Sequence, residues 1–82
     1  MISCDKHDFV EIACMYKLEV ALEAKTGKVI YGIANDILLN NMREECIKVH
    51  KKDNTYAIIA LSKILSMRAM VANPHFDIIT FD

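Results

Sequence analysis

Residues 17–27 read KLEVALEAKTG. Leu18, Val20, Leu22 and Ala24 alternate with Glu19, Ala21, Glu23 and Lys25. A period of two sends the first set to one face and the second to the other, which is the pattern of a half-buried β-strand. Thr26-Gly27 then makes a turn, because glycine accepts the positive φ that tight hairpins demand. Residues 28–36, KVIYGIAND, return as a second strand, and Gly32 inside it marks a bulge or sharp bend. An antiparallel hairpin is therefore the frame for everything around it.

Working towards the C-terminus, residues 37–44, ILLNNMRE, are read as a strand end and a loop. Residues 45–52, ECIKVHKK, form a third strand and Asp53-Asn54 a tight turn. Residues 55–61, TYAIIAL, are the fourth strand, with Ile59 and Leu61 inward. Ser62-Lys63 is a short break, and ILSMRAMV, residues 64–71, is a fifth strand or bent continuation. Asn73-Pro74 turns the chain into a sixth, FDIITF, residues 76–81.

Towards the N-terminus the period changes. Phe9, Ile12, Ala13 and Tyr16 fall at i, i+3, i+4 and i+7, the spacing of a buried helical stripe. Asp5 suits the cap of this helix and Asp8 its first turn, where carboxylates meet exposed amides and the positive end of the dipole. The expected helix covers residues 6–16. Asp5, Asp8 and Glu11 then project together, with Met15 beside them. The sum is a mainly β chain: a small Sm-like or SH3-like, partly open β-barrel or sandwich of five to six antiparallel strands with a short N-terminal α-helix. One domain is expected over residues 1–82, with the barrel from residue 17. The helix would close one open end through Phe9 and Ile12. A βαβ arrangement competes only if NDILLNNMREEC, residues 35–46, is a crossover helix.

Composition narrows the function. The chain has 82 residues, 54% of them hydrophobic, with two glycines and one proline, so no linker or low-complexity tract stands out. Its uncharged runs fall far short of the roughly 20 apolar residues of a membrane-spanning helix. MISCDKHD does not read as a signal peptide. Three cysteines without a CxxC pair suggest reduced thiols and a cytoplasmic protein. The net charge of −1 does not suggest a nucleic-acid binder. Its distribution is uneven, however. Asp5, Asp8, Glu11, Glu19 and Glu23 face only Lys6 and Lys17 over residues 1–24, while the remainder is mildly basic.

Three chemistries can be weighed against the residues. Cys4-x2-His7 has the spacing of a zinc pair, and Cys14, Cys46, His50 and His75 are further donors. Structural zinc wants two tight pairs and only one is present, so no metal is expected. Catalysis lacks a phosphate loop, an HExxH or a GxSxG, and so small a chain has little room for a pocket; an enzyme is not expected. A single-stranded RNA module of Sm-like type would use His50-Lys51-Lys52 and Tyr56, a thin set whose plain reading is solubility. Asn73-Pro74-His75 is explained by a turn alone.

CDKHDFVEIAC (residues 4–14), followed by KLEVALEAKTGKVIYGIAND, EECIKV, IIALSKILSM and NPHFDIITF, resembles the Rho-binding antiterminator family, also called Rof. Cys4, Asp5, Asp8, Glu11, Ala13 and Cys14 fit the family's C-D-x-x-D-x-x-E-x-A-C pattern. The resemblance implies an Sm-like barrel and a non-enzymatic regulator that binds the hexameric termination factor Rho and prevents termination. It implies that Asp5, Asp8 and Glu11 are presented to Rho's basic RNA-binding surface, with Glu19 and Glu23 extending the acidic patch. No cofactor, metal or membrane is expected, direct nucleic-acid binding is not expected, and a monomer is. The remaining alternative is the Sm-like single-stranded RNA-binding module.

Overall fold

The Thr26-Gly27 turn joins two antiparallel strands, β1 (Glu19–Ala24) and β2 (Val29–Leu39), in a computed structural model that describes the backbone of residues 4–81 and the side chains of residues 6–81. Gly27 has φ +95, the left-handed value such a turn needs. The other elements are α1 (Cys4–Met15), β3 (Glu45–His50), β4 (Tyr56–Ala60), a 3-10 turn (Leu61–Lys63), β5 (Ile64–Ala69) and β6 (Ile78–Thr80). All strand pairs are antiparallel, in the order β4-β3-β2-β1-β5-β6.

That order forces the sheet to roll. Flat, β4 and β5 would lie four strand spacings apart, about 19 Å. The 3-10 turn that joins them has three residues and spans about 6 Å. The end of β4 must therefore curl round to the start of β5. The result is a partly open barrel whose free edges are β4 and β6.

The interior holds Val20 and Leu22 of β1, Ala34 of β2, Ile47 and Val49 of β3, Leu61, Ile64, Met67 and Phe81. Ile59 packs against this core, so Ile59 and Leu61 both point inward as their spacing predicts. Ile37 also packs inward, and a β-bulge makes this possible. The β2–β3 register shifts between Ala34 and Asp36, leaving Asn35 as the extra residue. Simple alternation from buried Ala34 would send Ile37 outward; the bulge restores its phase, opposite Ile47. Hence β2 continues to Leu39, and the strand end read within residues 37–44 is Ile37, Leu38 and Leu39. Gly32 is not the bulge. It lies where β3 passes close by, and a Cβ there would sit 2.7 Å from the His50 carbonyl oxygen and clash with Val49.

The helix also differs from its expected stripe. Val10, Ala13 and Cys14 are buried, Phe9 and Ile12 only partly, and Tyr16 is 57% exposed. Tyr16 falls outside because the helix stops at Met15. Leu18 N–H bonds to the Ala13 carbonyl at 2.9 Å and Lys17 N–H to that of Cys14 at 3.3 Å, a Schellman closure. Lys17 takes the left-handed position at φ 52 in place of the usual glycine, so no glycine announced the stop. β5 ends at Ala69, and β6 is shorter than expected, because Asn73 builds a loop. Its side chain accepts from the amides of His75 and Phe76 and donates to the carbonyls of Val71 and Phe76. This loop docks on the helix: Phe76 meets Phe9 edge-on at 5.8 Å, and His75 stacks on Tyr16 at 4.9 Å.

Candidate protein-interaction surface

Helix α1 lies over β2 and seals the core with one face, leaving the other to solvent. Asp8 and Glu11, one turn apart, are both exposed on it. His7 is half-buried between the helix and β3. Its Nδ1 is 3.2 Å from Glu11 Oε1 and its Nε2 is 2.5 Å from Glu45 Oε2. The imidazole thus brings the start of β3 to the helix and sets Glu45 beside Glu11.

A second carboxylate arrives from β2. An open cleft is lined by Glu11, Cys14, Met15 and Lys17 on one side and Asn35, Asp36 and Ile37 on the other. Lys17 Nζ donates to the Asn35 carbonyl at 2.7 Å across its mouth. The Cys14 thiol reports on this environment. Burial, then the negative charges of Asp36 and Glu11, push its pKa up to about 11 against the opposing pull of Lys17. Cys14 therefore stays a protonated thiol and packs as a small hydrophobe.

The expected site residues separate into two groups. Asp8 and Glu11 come together. Glu19 and Glu23 project from the barrel's outer face, since the alternate residues Val20 and Leu22 fill the core. Glu19 lies opposite Ile33, and Glu23 lies between Val29 and Ser66, whose hydroxyl donates to it at 3.5 Å. The side chains of Cys4 and Asp5 lie outside the described residues. Asp36 and Glu45 were not legible as site residues. Asp36 owes its position to the bulge, and Glu45 to the pairing of β3 with β2.

The zinc donors weighed from spacing are dispersed. Cys14 and Cys46 are buried free thiols, His50 bonds Asn54 at 3.0 Å, and His75 is in the Tyr16 stack. Among the described residues, His7, Asp8 and Glu11 have ligand atoms within 4.8 Å of one another.

Known proteins give this surface a context. The family model for modulators of Rho-dependent transcription termination, ROF, matches residues 1–81. The chain belongs to the ROF family. Among solved structures, it is similar to YaeO bound to magnesium, from Vibrio cholerae O395. The two share 35% identity, the match covers 92% of this chain and 96% of that one, and the TM-score is 0.86. Among curated proteins none matches. The ROF family modulates Rho-dependent termination, and the mainly β architecture with a short N-terminal helix is that of YaeO.

Proposed function

We propose that this chain is a non-enzymatic, monomeric cytoplasmic regulator that binds Rho and inhibits Rho-dependent termination. The contact is the acidic corner built by Asp8 and Glu11 of α1, Asp36 of β2 and Glu45 of β3, with Asp5 at the start of the helix. One observation carries the reading: carboxylates from three separate elements converge beside the exposed helix face. A surface built to hold phosphates attracts such carboxylates too, and associates with them fast and in a salt-sensitive way. Blocking that surface on Rho would keep RNA from loading. Glu19 and Glu23 lie apart from this corner, on the outer face.

The magnesium of YaeO does not transfer to this corner. Magnesium wants a near-octahedral shell of oxygens. Asp8 and Glu11 offer them, but His7 offers nitrogen and already lies between two carboxylates. The proposed contact uses no metal and no cofactor.

The test is binding to purified Rho at two salt concentrations, with single-stranded RNA as competitor. Asp8→Lys with Glu11→Lys should weaken binding by at least ~100-fold, the scale of losing close charge pairs at an interface, while thermal unfolding stays nearly unchanged. RNA should displace the wild-type protein. Equal binding by the double variant would overturn the helix-face assignment.

A further inference from the structure

The outer face of the barrel carries a second surface that the acidic corner does not use. Val29, Tyr31 and Ile33 of β2 and Tyr56 and Ile58 of β4 are 41–56% exposed. They share a face, because residues paired across a sheet point the same way. Ile33 pairs with His50 and His50 with Tyr56, while Tyr31 pairs with Ala21 and Ala21 with Arg68. His50 and Tyr56 stack at 4.9 Å and 23°, and Lys48 Nζ lies 4.3 Å from the Tyr56 ring centre. The small Ala21 leaves a shallow place between Arg68 and Tyr31.

The rim of this face is cationic. Lys28, Tyr31, Lys51, Lys52 and Asp53 line one cleft where the start of β2 meets the β3–β4 hairpin. The only carboxylate in that cleft, Asp53, is held ionised by accepting from the Thr55 hydroxyl and amide, which keeps it engaged within its own turn. Three lysines in one cleft call for an anionic partner. Flat rings beside clustered lysines match flat bases joined by phosphates.

We propose that this face binds single-stranded nucleic acid. Bases stack on Tyr31 and on the His50–Tyr56 pair, and phosphates lie along Lys28, Lys51 and Lys52. Glu19 and Glu23 border the face on the β1 side. They repel phosphates, so they hold the backbone to the lysine side, and they can accept hydrogen bonds from base amino groups. The duplex is excluded because its bases are already stacked within it.

Fluorescence anisotropy with labelled 12-nucleotide RNA, the matching DNA and a duplex tests this at low and moderate salt. Binding of single strands without binding of the duplex is expected; RNA alone or both strands responding identifies the source of the ligand. Tyr31→Ala should weaken binding by about 10-fold, the usual loss of one stacked base. Lys51→Gln with Lys52→Gln should lower the salt dependence by about two phosphate contacts. Rho binding by both variants should stay at the wild-type level, which separates this surface from the acidic corner. No binding of either single strand by folded protein, equal binding of the duplex, or indifference to Tyr31→Ala would each overturn the proposal.

Discussion

The acidic corner and the aromatic outer face are made of the same kinds of strand, yet they differ in how their charges are held. At the corner, Glu11 and Glu45 flank one imidazole, and Asp36 shares a cleft with Glu11 and Lys17. On the outer face, lysines surround exposed rings that stack on one another. A chain with a net charge of −1 thus carries two surfaces of opposite character. Net charge describes neither; the placement of charge on the folded sheet describes both.

The sharpest way to break this contrast is to reverse the corner alone. Asp8→Lys with Glu11→Lys should remove Rho binding at the ~100-fold scale and leave the affinity for single-stranded RNA unreduced. A parallel loss of both would show one continuous surface rather than two. Gly32→Ala should damage both surfaces together, because β3 carries Glu45 at one end and His50 at the other and an added methyl would meet Val49 and the His50 carbonyl. Overpacking of this kind costs about 1–3 kcal/mol, readable as a lower midpoint in urea; an unchanged midpoint would mean that β3 shifts freely.

A smaller effect separates the helix from the strands within the corner. Neutralising Asp36→Asn and Glu45→Gln should weaken Rho binding by about 10-fold, less than the helix reversal because no positive charge is introduced. Wild-type affinity in that variant would confine the contact to α1. The smallest effect belongs to Cys14. Its folded pKa is raised from 9.0 to about 11, so the folded state holds the proton more tightly than the unfolded chain does. Its contribution to stability is complete below pH 9 and is lost as pH rises from 9 towards 11. Urea unfolding at about pH 8 and about pH 10.5 should show a smaller pH-dependent loss in Cys14→Ala than in the wild type. At the lower pH, alkylation of Cys14 should be slow until the protein unfolds; rapid native labelling would show that the thiol is reachable from the cleft.

The strands were legible where side chains alternate or turns carry special residues. KLEVALEAK with Thr26-Gly27, and ECIKVH with Asp53-Asn54, gave their strands and hairpins directly. The helix was legible in existence but not in phase. Ala13 is buried as its spacing predicts, but the large Phe9, Ile12 and Tyr16 drew the stripe to one side, and the fully packed Val10 was left out of it. Small side chains let α1 lie close to the sheet, and size is the property that a periodicity count ignores. The bulge in β2 was illegible, because nothing in Asn35-Asp36 marks one.

By itself, then, the order of residues determined a mainly β chain with one short helix, its tight turns, and the Asp8–Glu11 pair. These are local properties, set by side-chain period and by backbone torsions over a few residues. Only the tertiary structure decided that Asp36 and Glu45 join the helix acids, and that Tyr31 shares an exposed face with Tyr56 and the lysines. The reason is physical: those neighbours are fixed by strand register, one bulge and the three-residue link from β4 to β5. Register is a long-range choice among pairings, settled by which alignment buries Val20, Ala34, Ile47 and Val49 together.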